Sequence, residues 1–321
     1  MSALGIGKRV GAIDIGTNTV LLLVAEGPAE APVAVVERAT ITRLGQGVDR
    51  TRKLAPEAMA RTLAALTEYA RVLQGAQVEH VEVVSTSAAR DAENGPEFLE
   101  RVRAVVGASP RIVDGVEEAR LVFEGALTGL SLSGSVTVFD VGGGSTEIIH
   151  GVVNDGASHI DASTSLDIGS VRLTERCVRH DPPESTEIDA IHEIIAKEVS
   201  SAPRAKTTHL VGVAGTVTTL SAVAQGLESY DSALVHGATL SRNTASALLA
   251  RLAGLSLEER RHIAGLDPAR ADVIVAGTLI VVAMLDWCER DGLVVSDRGV
   301  RWGLARRALG ALGIGSVDSR V

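Results

Sequence analysis

Two short segments of the chain share one pattern: an apolar strand ends in aspartate, a turn of small polar residues follows, and a second apolar strand returns. The first segment is Asp14-Ile15-Gly16-Thr17-Asn18-Thr19, followed by the apolar run 20–25. The second is Asp140-Val141-Gly142-Gly143-Gly144-Ser145-Thr146-Glu147, followed by Ile148-Ile149. Each segment predicts a β-hairpin whose tip exposes backbone N–H groups. The repetition indicates an internal duplication.

Tips of this composition are suited to anions. Glycine lets the backbone approach an anion closely and tolerates a positive φ angle, and a concave row of N–H groups binds anions. Two such hairpins facing each other would hold a phosphate from both sides, with Asp14 and Asp140 available for a divalent cation. A single turn of this kind would also suit an ordinary hairpin, and the matched pair favours the anion site.

Composition and charge narrow the class of protein. A chain of 321 residues is long enough for two domains of ordinary size. The net charge of −9 and the 2% aromatic content argue against general nucleic-acid binding, which uses basic surfaces and base stacking. No apolar run approaches the roughly 18 residues of a membrane span, so we expect a cytoplasmic protein with no membrane partner. The separated Cys177 and Cys288 predict neither a disulfide framework nor a zinc site.

Strands and helices alternate after each hairpin, which predicts an α/β protein. We expect a first domain over residues 1–125, completed by a C-terminal helix at about 300–321, and a second domain over 126–300, joined at a hinge near 125–135. Other predicted features are a turn over 86–94, a strand over 209–213 that leads into a glycine turn at Gly215 and Thr216, and a helix that begins at Thr218.

The chain resembles the superfamily of actin, sugar kinases and heat-shock ATPases, and within it the exopolyphosphatase and guanosine pentaphosphate phosphohydrolase family. The resemblance spans nearly the whole chain and rests on the two hairpins and on blocks at 86–94, 115–121, 169–173, 212–219 and 296–303. It implies two ribonuclease H-like (actin-like ATPase) domains flanking a central cleft. The family usually carries Ser at one or both hydroxyl positions of the first turn, and Thr17 and Thr19 keep those hydroxyls.

The resemblance also implies hydrolysis of a terminal phosphate. Glu118 matches the family's catalytic glutamate and is the expected general base toward water, although on the residues alone Glu117 and Glu118 would equally complement a helix dipole. Asp140 and Glu147 are expected to be catalytic and, with Asp14, to hold Mg²⁺ or another hard divalent cation such as Mn²⁺. The expected phosphate ligands are Thr17, Asn18, Arg90, Gly142, Gly143, Gly144, Ser145 and Thr146.

Substrate length and identity stay open at this point. Arg43, Arg172, Arg298 and Arg301 are candidates for later phosphates of a chain-like substrate, or else are solvated surface residues. The chain ends close to the last block that it shares with the family, which favours short inorganic polyphosphate. Guanosine pentaphosphate is the alternative substrate, as in the stringent response, and an ATP-dependent kinase or an actin-like filament protein is less well supported. The sequence leaves open whether the protein is a homodimer and what the turn at 212–216 binds.

Overall fold

The computed structural model describes residues 8–154 and 157–313 of the chain. These residues form an α/β structure that divides into two compact units. The first unit comprises the chain up to Asp114 together with the chain from Val300 onward, and the second comprises Gly115–Gly299. Each unit contains one sheet and one large apolar core.

The sheet of the first unit has five strands in the order β3-β2-β1-β4-β5. The strands are β1 (Arg9–Ile15), β2 (Thr19–Glu26), β3 (Val33–Ile41), β4 (His80–Ser85) and β5 (Arg111–Ile112). Its first four helices are α1 (Val48–Thr51), α2 (Pro56–Gly75), α3 (Ser87–Asp91) and α4 (Gly95–Val106). Strands β1 and β2 are almost wholly buried, and proline at the first turn of α2 and of α4 suits a helix start.

The sheet of the second unit has six strands in the order β10-β11-β9-β6-β7-β8. The strands are β6 (Gly134–Val141), β7 (Thr146–Asn154), β8 (Ala157–Leu166), β9 (His209–Val213), β10 (Thr239–Ser241) and β11 (Gly292–Val295). The helices are α5 (Gly115–Ala126), α6 (Ser170–Cys177), α7 (Ser185–Ser200), α8 (Ala214–Ala224), α9 (Ser232–Val235), α10 (Arg242–Ala253), α11 (Leu257–Arg260) and α12 (Ile274–Trp287), with a short 3-10 turn at Pro268–Arg270. The last helix, α13 (Val300–Ala311), packs on β1, β2 and β4 of the first unit.

The two sheets repeat one arrangement. In each, a hairpin is followed by an antiparallel third strand, and the first strand of the hairpin pairs in parallel with a later strand. The last paired residues are Ile15 with Val20 and Val141 with Thr146, so both tips have the same length. Gly16 N–H donates to the Thr19 carbonyl at 3.1 Å, and Gly142 N–H donates to Ser145 at 3.0 Å. Asp14 therefore corresponds in position to Asp140.

The boundary between the compact units differs from the boundary expected from the sequence. The second unit begins at Gly115 rather than at residue 126, because α5 packs against β6, β7 and β8. A helix signal in the sequence does not tell which sheet the helix will cover. Residues 314–321 of the expected C-terminal helix lie outside the described residues.

Two predicted turns contain helix. Ala214 has φ of 70° and turns the chain from β9 directly into α8, so the helix begins at Ala214 and includes Gly215 and Thr216. The guanidinium of Arg270 packs on Gly215 so closely that a Cβ there would lie 1.9 Å from Nη1. The expected turn at 86–94 includes the short helix α3. Short helices that begin at a strand end leave too few residues for a periodic sequence signal.

Candidate active site

The tip of the first hairpin is held by the chain that follows β3. The Thr17 carbonyl accepts a hydrogen bond from Gly45 N–H at 2.8 Å, and the Asn18 carbonyl accepts from Thr42 and Arg43 N–H at 3.0 and 2.9 Å. The Thr17 hydroxyl pairs with the Ser87 hydroxyl at 2.7 Å, so both the backbone and a side chain fix this tip. Thr17 and Asn18 are each 8% exposed, and the Asn18 N–H has no acceptor among the described residues.

Asp14 lies at the base of the first hairpin in an unusual electrostatic setting. It is buried, and its Oδ1 atom accepts no hydrogen bond from the described residues. Burial raises the pKa of Asp14 to about 7, and the charge of Arg301 offsets part of that rise. Arg301 itself donates to Glu37 Oε2 at 2.6 Å. A buried carboxylate oxygen with no donor is costly unless a cation or a proton satisfies it.

The tip of the second hairpin is held by the start of α6. Ser170 N–H donates to the Gly142 carbonyl at 3.0 Å, while Val171 and Arg172 N–H donate to the Gly143 carbonyl at 2.9 and 3.0 Å. The Arg172 side chain completes the set, because its Nε donates to the Gly144 carbonyl at 2.6 Å. All three tip glycines therefore direct their carbonyls toward α6.

The orientation of these carbonyls determines where the tip N–H groups point. In a trans peptide, the carbonyl of one residue and the N–H of the next point in opposite directions. The N–H groups of Gly143, Gly144 and Ser145 therefore all point away from α6, and none has an acceptor among residues 8–154 and 157–313. Three adjacent donors of this kind form an anion-binding concavity.

The glycines of the two tips have ordinary backbone angles. Gly16 and Gly142 to Gly144 are not among the residues with positive φ, so that part of the sequence argument does not hold. Instead, a Cβ at Gly142 would lie 3.0 Å from the Ser145 carbonyl oxygen. Gly169, just before α6, also has no room, because a Cβ there would lie 2.4 Å from the Gly143 carbonyl oxygen.

Three polar residues form one row across the second sheet. Asp140 pairs directly with Glu147, which pairs directly with Ser165. Directly opposed residues of antiparallel strands point to the same face, and the Ser165 hydroxyl donates to Glu147 Oε1 at 2.8 Å. Glu147 is 2% exposed, whereas Asp140 is partly exposed. The structure thus brings Asp140 and Glu147 together beside the glycine tip.

Helix α5 brings Glu118 to the same end of that sheet. A Cβ at Gly115 would lie 3.7 Å from Ser165 Cβ, and one at Gly151 would lie 2.6 Å from Phe123 Cζ. The helix therefore begins over the Ser165 end of β8 and runs back along β7. Glu118, in the first turn and 6% exposed, lies at the end of the sheet that carries Glu147 and Asp140.

The structure gives several other predicted residues different partners. Thr146 is fully buried, and its hydroxyl donates to the Ile168 carbonyl at 2.6 Å. Arg90 is exposed at the end of α3, and its Nη1 donates to the Val113 carbonyl at 3.2 Å. Arg298 donates to the Thr128 carbonyl at 3.0 Å. Like Arg172 and Arg301, Arg298 therefore has a partner within the protein and is not a solvated surface arginine.

Sequence reasoning missed Ser165, Ser170 and Gly169 as contacts of the candidate site. The block 169–173 stands in the sequence analysis as a family resemblance and, at Arg172, as a candidate phosphate ligand, whereas its contacts with residues 142–144 become visible only in the structure. Ser165 carried no signal, because a serine on an edge strand is ordinary.

The described residues contain no group of three or more His, Cys, Asp or Glu side chains arranged to hold a metal ion. Mg²⁺ is usually held by only one or two carboxylates together with waters and phosphate oxygens. The buried, unpartnered oxygen of Asp14 fits such a ligand. Within residues 8–154 and 157–313, every helix is too short or too polar to be a membrane span.

A family model described as "Ppx/GppA phosphatase family" matches residues 23–311, which include the second hairpin, α5 and α6. The chain belongs to the Ppx/GppA phosphatase family. It is 42% identical over 318 residues to exopolyphosphatase 2 of Mycobacterium tuberculosis, covering 92% of this chain and 97% of that protein. The match therefore extends over both units.

Two further comparisons place the chain within Ppx/GppA proteins. The crystal structure of the Aquifex aeolicus family member is 34% identical and superposes with a TM-score of 0.80, covering 95% of this chain and 98% of that one. The guanosine-5'-triphosphate,3'-diphosphate pyrophosphatase of Vibrio vulnificus is 30% identical over 338 residues, covering 100% of this chain and 65% of that protein. The names of the Mycobacterium tuberculosis and Vibrio vulnificus relatives give different substrates.

Proposed function

We propose that this protein is an exopolyphosphatase that removes the terminal phosphate of inorganic polyphosphate by direct attack of water. Family membership and the 42% identity to an exopolyphosphatase over nearly the full length of both chains support this activity. The observation that carries the proposal is local to the second unit. Three outward N–H groups on the glycine tip lie beside the row that contains Asp140 and Glu147.

The two hairpin tips supply the binding groups. The N–H groups of Gly143, Gly144 and Ser145 donate to oxygens of the terminal phosphate, and the tip at Thr17 and Asn18 donates to the same substrate. Phosphoryl transfer depends mainly on positioning and on neutralising charge. Fixed donors that need no rearrangement during the reaction are therefore the main catalytic contribution of the tips.

Glu118 is the general base of the proposed reaction. The water oxygen forms a bond to the terminal phosphorus, and the proton of that water passes to the Glu118 carboxylate. The bond between phosphorus and the bridging oxygen breaks, and its electron pair leaves on the shortened polyphosphate. The burial of Glu118 and its place in the first turn of α5, at the Glu147 end of the sheet, support this role.

A divalent cation, Mg²⁺ or Mn²⁺, belongs to the proposal. Asp14, Asp140 and Glu147 are the candidate ligands, of which one or two would hold it together with phosphate oxygens, and the buried oxygen of Asp14 that accepts no hydrogen bond within the described part of the chain supports its candidacy. When bound, the cation neutralises charge on the phosphate oxygens. The carboxylates of Asp140 and Glu147 also orient the attacking water, with Glu147 itself oriented by the Ser165 hydroxyl.

Guanosine pentaphosphate is a second candidate substrate. The Vibrio vulnificus relative, named for hydrolysis of that nucleotide, favours it through 30% identity. The same carboxylates and tips would remove its terminal 5'-phosphate. The two substrates differ only in what lies beyond the reacting phosphates.

Phosphate release from purified protein tests both candidates. Short polyphosphate, long polyphosphate, guanosine pentaphosphate and ATP are compared side by side, each with Mg²⁺ and with EDTA, and with the Glu118→Gln variant as the blank. We expect fastest release from polyphosphate and no release with EDTA, and the comparison of short with long chains measures the preferred length. Faster release from guanosine pentaphosphate would favour the second candidate. Absence of release from either substrate would overturn both.

A further inference from the structure

Three of the four residues in the tip of the second hairpin, Gly142, Gly143 and Gly144, have no side chain with which to hold the tip. In the first hairpin, the Thr17 hydroxyl pairs with Ser87 and helps to fix the tip. Gly142, Gly143 and Gly144 offer no such group, and glycine backbone loses more conformational freedom on ordering than any other residue. The order of this tip must come from contacts made by other segments.

Arg172 supplies one of those contacts from a buried position. Arg172 is a residue of α6 and is 8% exposed, and its Nε donates to the Gly144 carbonyl at 2.6 Å. One acidic side chain near it, Asp167, is 3.9 Å from Nη2 and largely exposed. The carbonyls of Gly142 and Gly143, in contrast, are held mainly by backbone N–H groups at the start of α6.

We propose that Arg172 is a positioning residue of the active site, which acts through the Gly144 peptide to aim the Ser145 N–H at the substrate phosphate. The Gly144 carbonyl and the Ser145 N–H belong to one planar peptide unit. Holding the carbonyl on the α6 side therefore holds the N–H on the opposite side. This inference rests on the proposed function, and it gives Arg172 a role different from that of a ligand to later phosphates.

The geometry distinguishes this role from a role of charge. The donor is Nε, the atom bonded to Cδ, and it faces a neutral carbonyl. A residue that acted through its positive charge alone would keep much of its function as lysine, although lysine lacks the bidentate fork of arginine. A positioning residue needs a donor at the Nε position and does not need the charge.

Three variants separate the donor from the charge. Arg172→Gln places an amide N–H at the same number of bonds from the backbone as Nε and removes the charge. Arg172→Lys keeps the charge but has a carbon at that position, and Arg172→Met keeps the length with no donor. We expect Gln to retain kcat/KM within about threefold, and Lys and Met to lose about tenfold or more, mainly through KM, as for loss of a charge-assisted hydrogen bond.

The contrary results are equally specific. If Lys retains activity and Gln does not, the charge is what matters and the positioning role is wrong. If all three variants lower the midpoint of urea unfolding but leave KM and kcat unchanged, the contact is only structural.

A second measurement does not depend on turnover. Amide resonances of ¹⁵N-labelled glycine and serine are followed while inorganic tripolyphosphate is added in EDTA. In the wild-type protein, we expect the resonances of Gly143, Gly144 and Ser145 to shift together. In Arg172→Met, the Ser145 response should weaken more than the Gly144 response, because backbone N–H groups of α6 still hold the Gly143 carbonyl and with it the Gly144 N–H. Equal responses in the two proteins would overturn the inference.

The two experiments also separate this inference from the proposed function. A wild-type protein that releases no phosphate, yet shows the Ser145 response and its loss in Arg172→Met, would refute the hydrolase and leave the positioning role intact. A protein that hydrolyses polyphosphate with no effect of Arg172→Met would do the reverse.

Discussion

The two hairpins have the same length and the same internal hydrogen bond, but their tips are built from different groups. The first tip presents the side chains of Thr17 and Asn18, and the second presents bare backbone from Gly142 to Gly144. Across the ladder from Asp14 lies Leu21, whereas across from Asp140 lies Glu147. The two hairpins therefore share a backbone geometry, and of the two aspartates only Asp140 has a carboxylate directly across its ladder.

The anchoring of the tips differs in a way that follows from this composition. The first tip is tied by three backbone N–H groups and one hydroxyl pair. The carbonyls of the second tip accept hydrogen bonds from backbone N–H groups and from the Arg172 side chain. Its three glycines have no side chains of their own to contribute. The order of the second tip thus depends more on neighbouring segments than the order of the first tip does.

The largest effect should come from substitution of Glu118, the proposed general base, which belongs to the second unit. We expect Glu118→Gln to keep the fold and to lower kcat for phosphate release by about 10²–10⁴-fold, as for loss of a positioned general base. Glu117→Gln, one residue away on α5, is the matched control and should change kcat little. Near-normal turnover of Glu118→Gln would show that the base lies elsewhere.

The buried carboxylate of Asp14 in the first hairpin should make the stability of the protein depend on pH. Burial raises the pKa of Asp14 from its ordinary value of 3.8 to about 7, with Arg301 opposing the shift. The folded protein therefore keeps this proton up to about pH 7, while the unfolded chain loses it near pH 4. The contribution of Asp14 to stability is full below about pH 4 and is lost as the pH rises to about 7.

Asp14→Asn removes that proton equilibrium. In urea unfolding at pH 8 with EDTA, we expect the variant to be more stable than the wild-type protein by up to about 4 kcal/mol, with the difference shrinking toward pH 4. Mg²⁺ should then stabilise the wild-type protein and not the variant. A difference in stability that does not change with pH would contradict this account of Asp14.

Making the second hairpin resemble the first tests the carboxylate pair. Glu147→Leu places in β7 the residue that β2 carries at the corresponding position, Leu21. We expect kcat to fall on the order of a hundredfold, because fixed charge at the reacting phosphate is lost. Ser165→Ala removes only the hydrogen bond that orients Glu147 and should cost less. Equal effects of the two variants would place the importance in packing rather than in the carboxylate.

The smallest effects should come from glycines that pack against the two tips, Gly169 against the second tip and Gly45 against the first. A Cβ at Gly169 would meet the backbone of Gly143, at 2.4 Å from its carbonyl oxygen, whereas a Cβ at Gly45 would meet the methyl group of Thr17 at 2.3 Å. Gly169→Ala must displace the tip itself, so we expect kcat/KM to fall about tenfold. Gly45→Ala displaces a side chain and should have a smaller effect. If Gly45→Ala lowers kcat/KM more than Gly169→Ala does, activity depends more on the position of the first tip than on that of the second.

The sequence predicted the hairpins and the α/β class well because both follow from local patterns. Apolar runs that end in Asp and a glycine-rich turn specify a strand, a tip and a strand whatever surrounds them. The anchors were not predictable in the same way. The Glu147 and Ser165 pair, and the Glu37 and Arg301 pair, join residues 18 and 264 positions apart, and only the packed sheets bring them together.

The positions of candidate side chains were predictable to the extent that they follow from a local pattern. Asp14, Asp140 and Glu147 were expected as carboxylates at strand ends, and the structure places the latter two in one row, whereas their roles stay a prediction. Arg172 was noticed for its charge, but its observed contact depends on a donor atom and a backbone carbonyl. The assignment of α5 to the second unit likewise depended on packing that no periodicity in the sequence records.

The central claim is that the glycine tip of the second hairpin binds the terminal phosphate of the substrate, and it is tested most directly by the crystal structure of Glu118→Gln with Mg²⁺ and tripolyphosphate. We predict that the terminal phosphate accepts hydrogen bonds from the N–H groups of Gly143, Gly144 and Ser145. Tripolyphosphate bound on another surface, away from this tip, would contradict the claim.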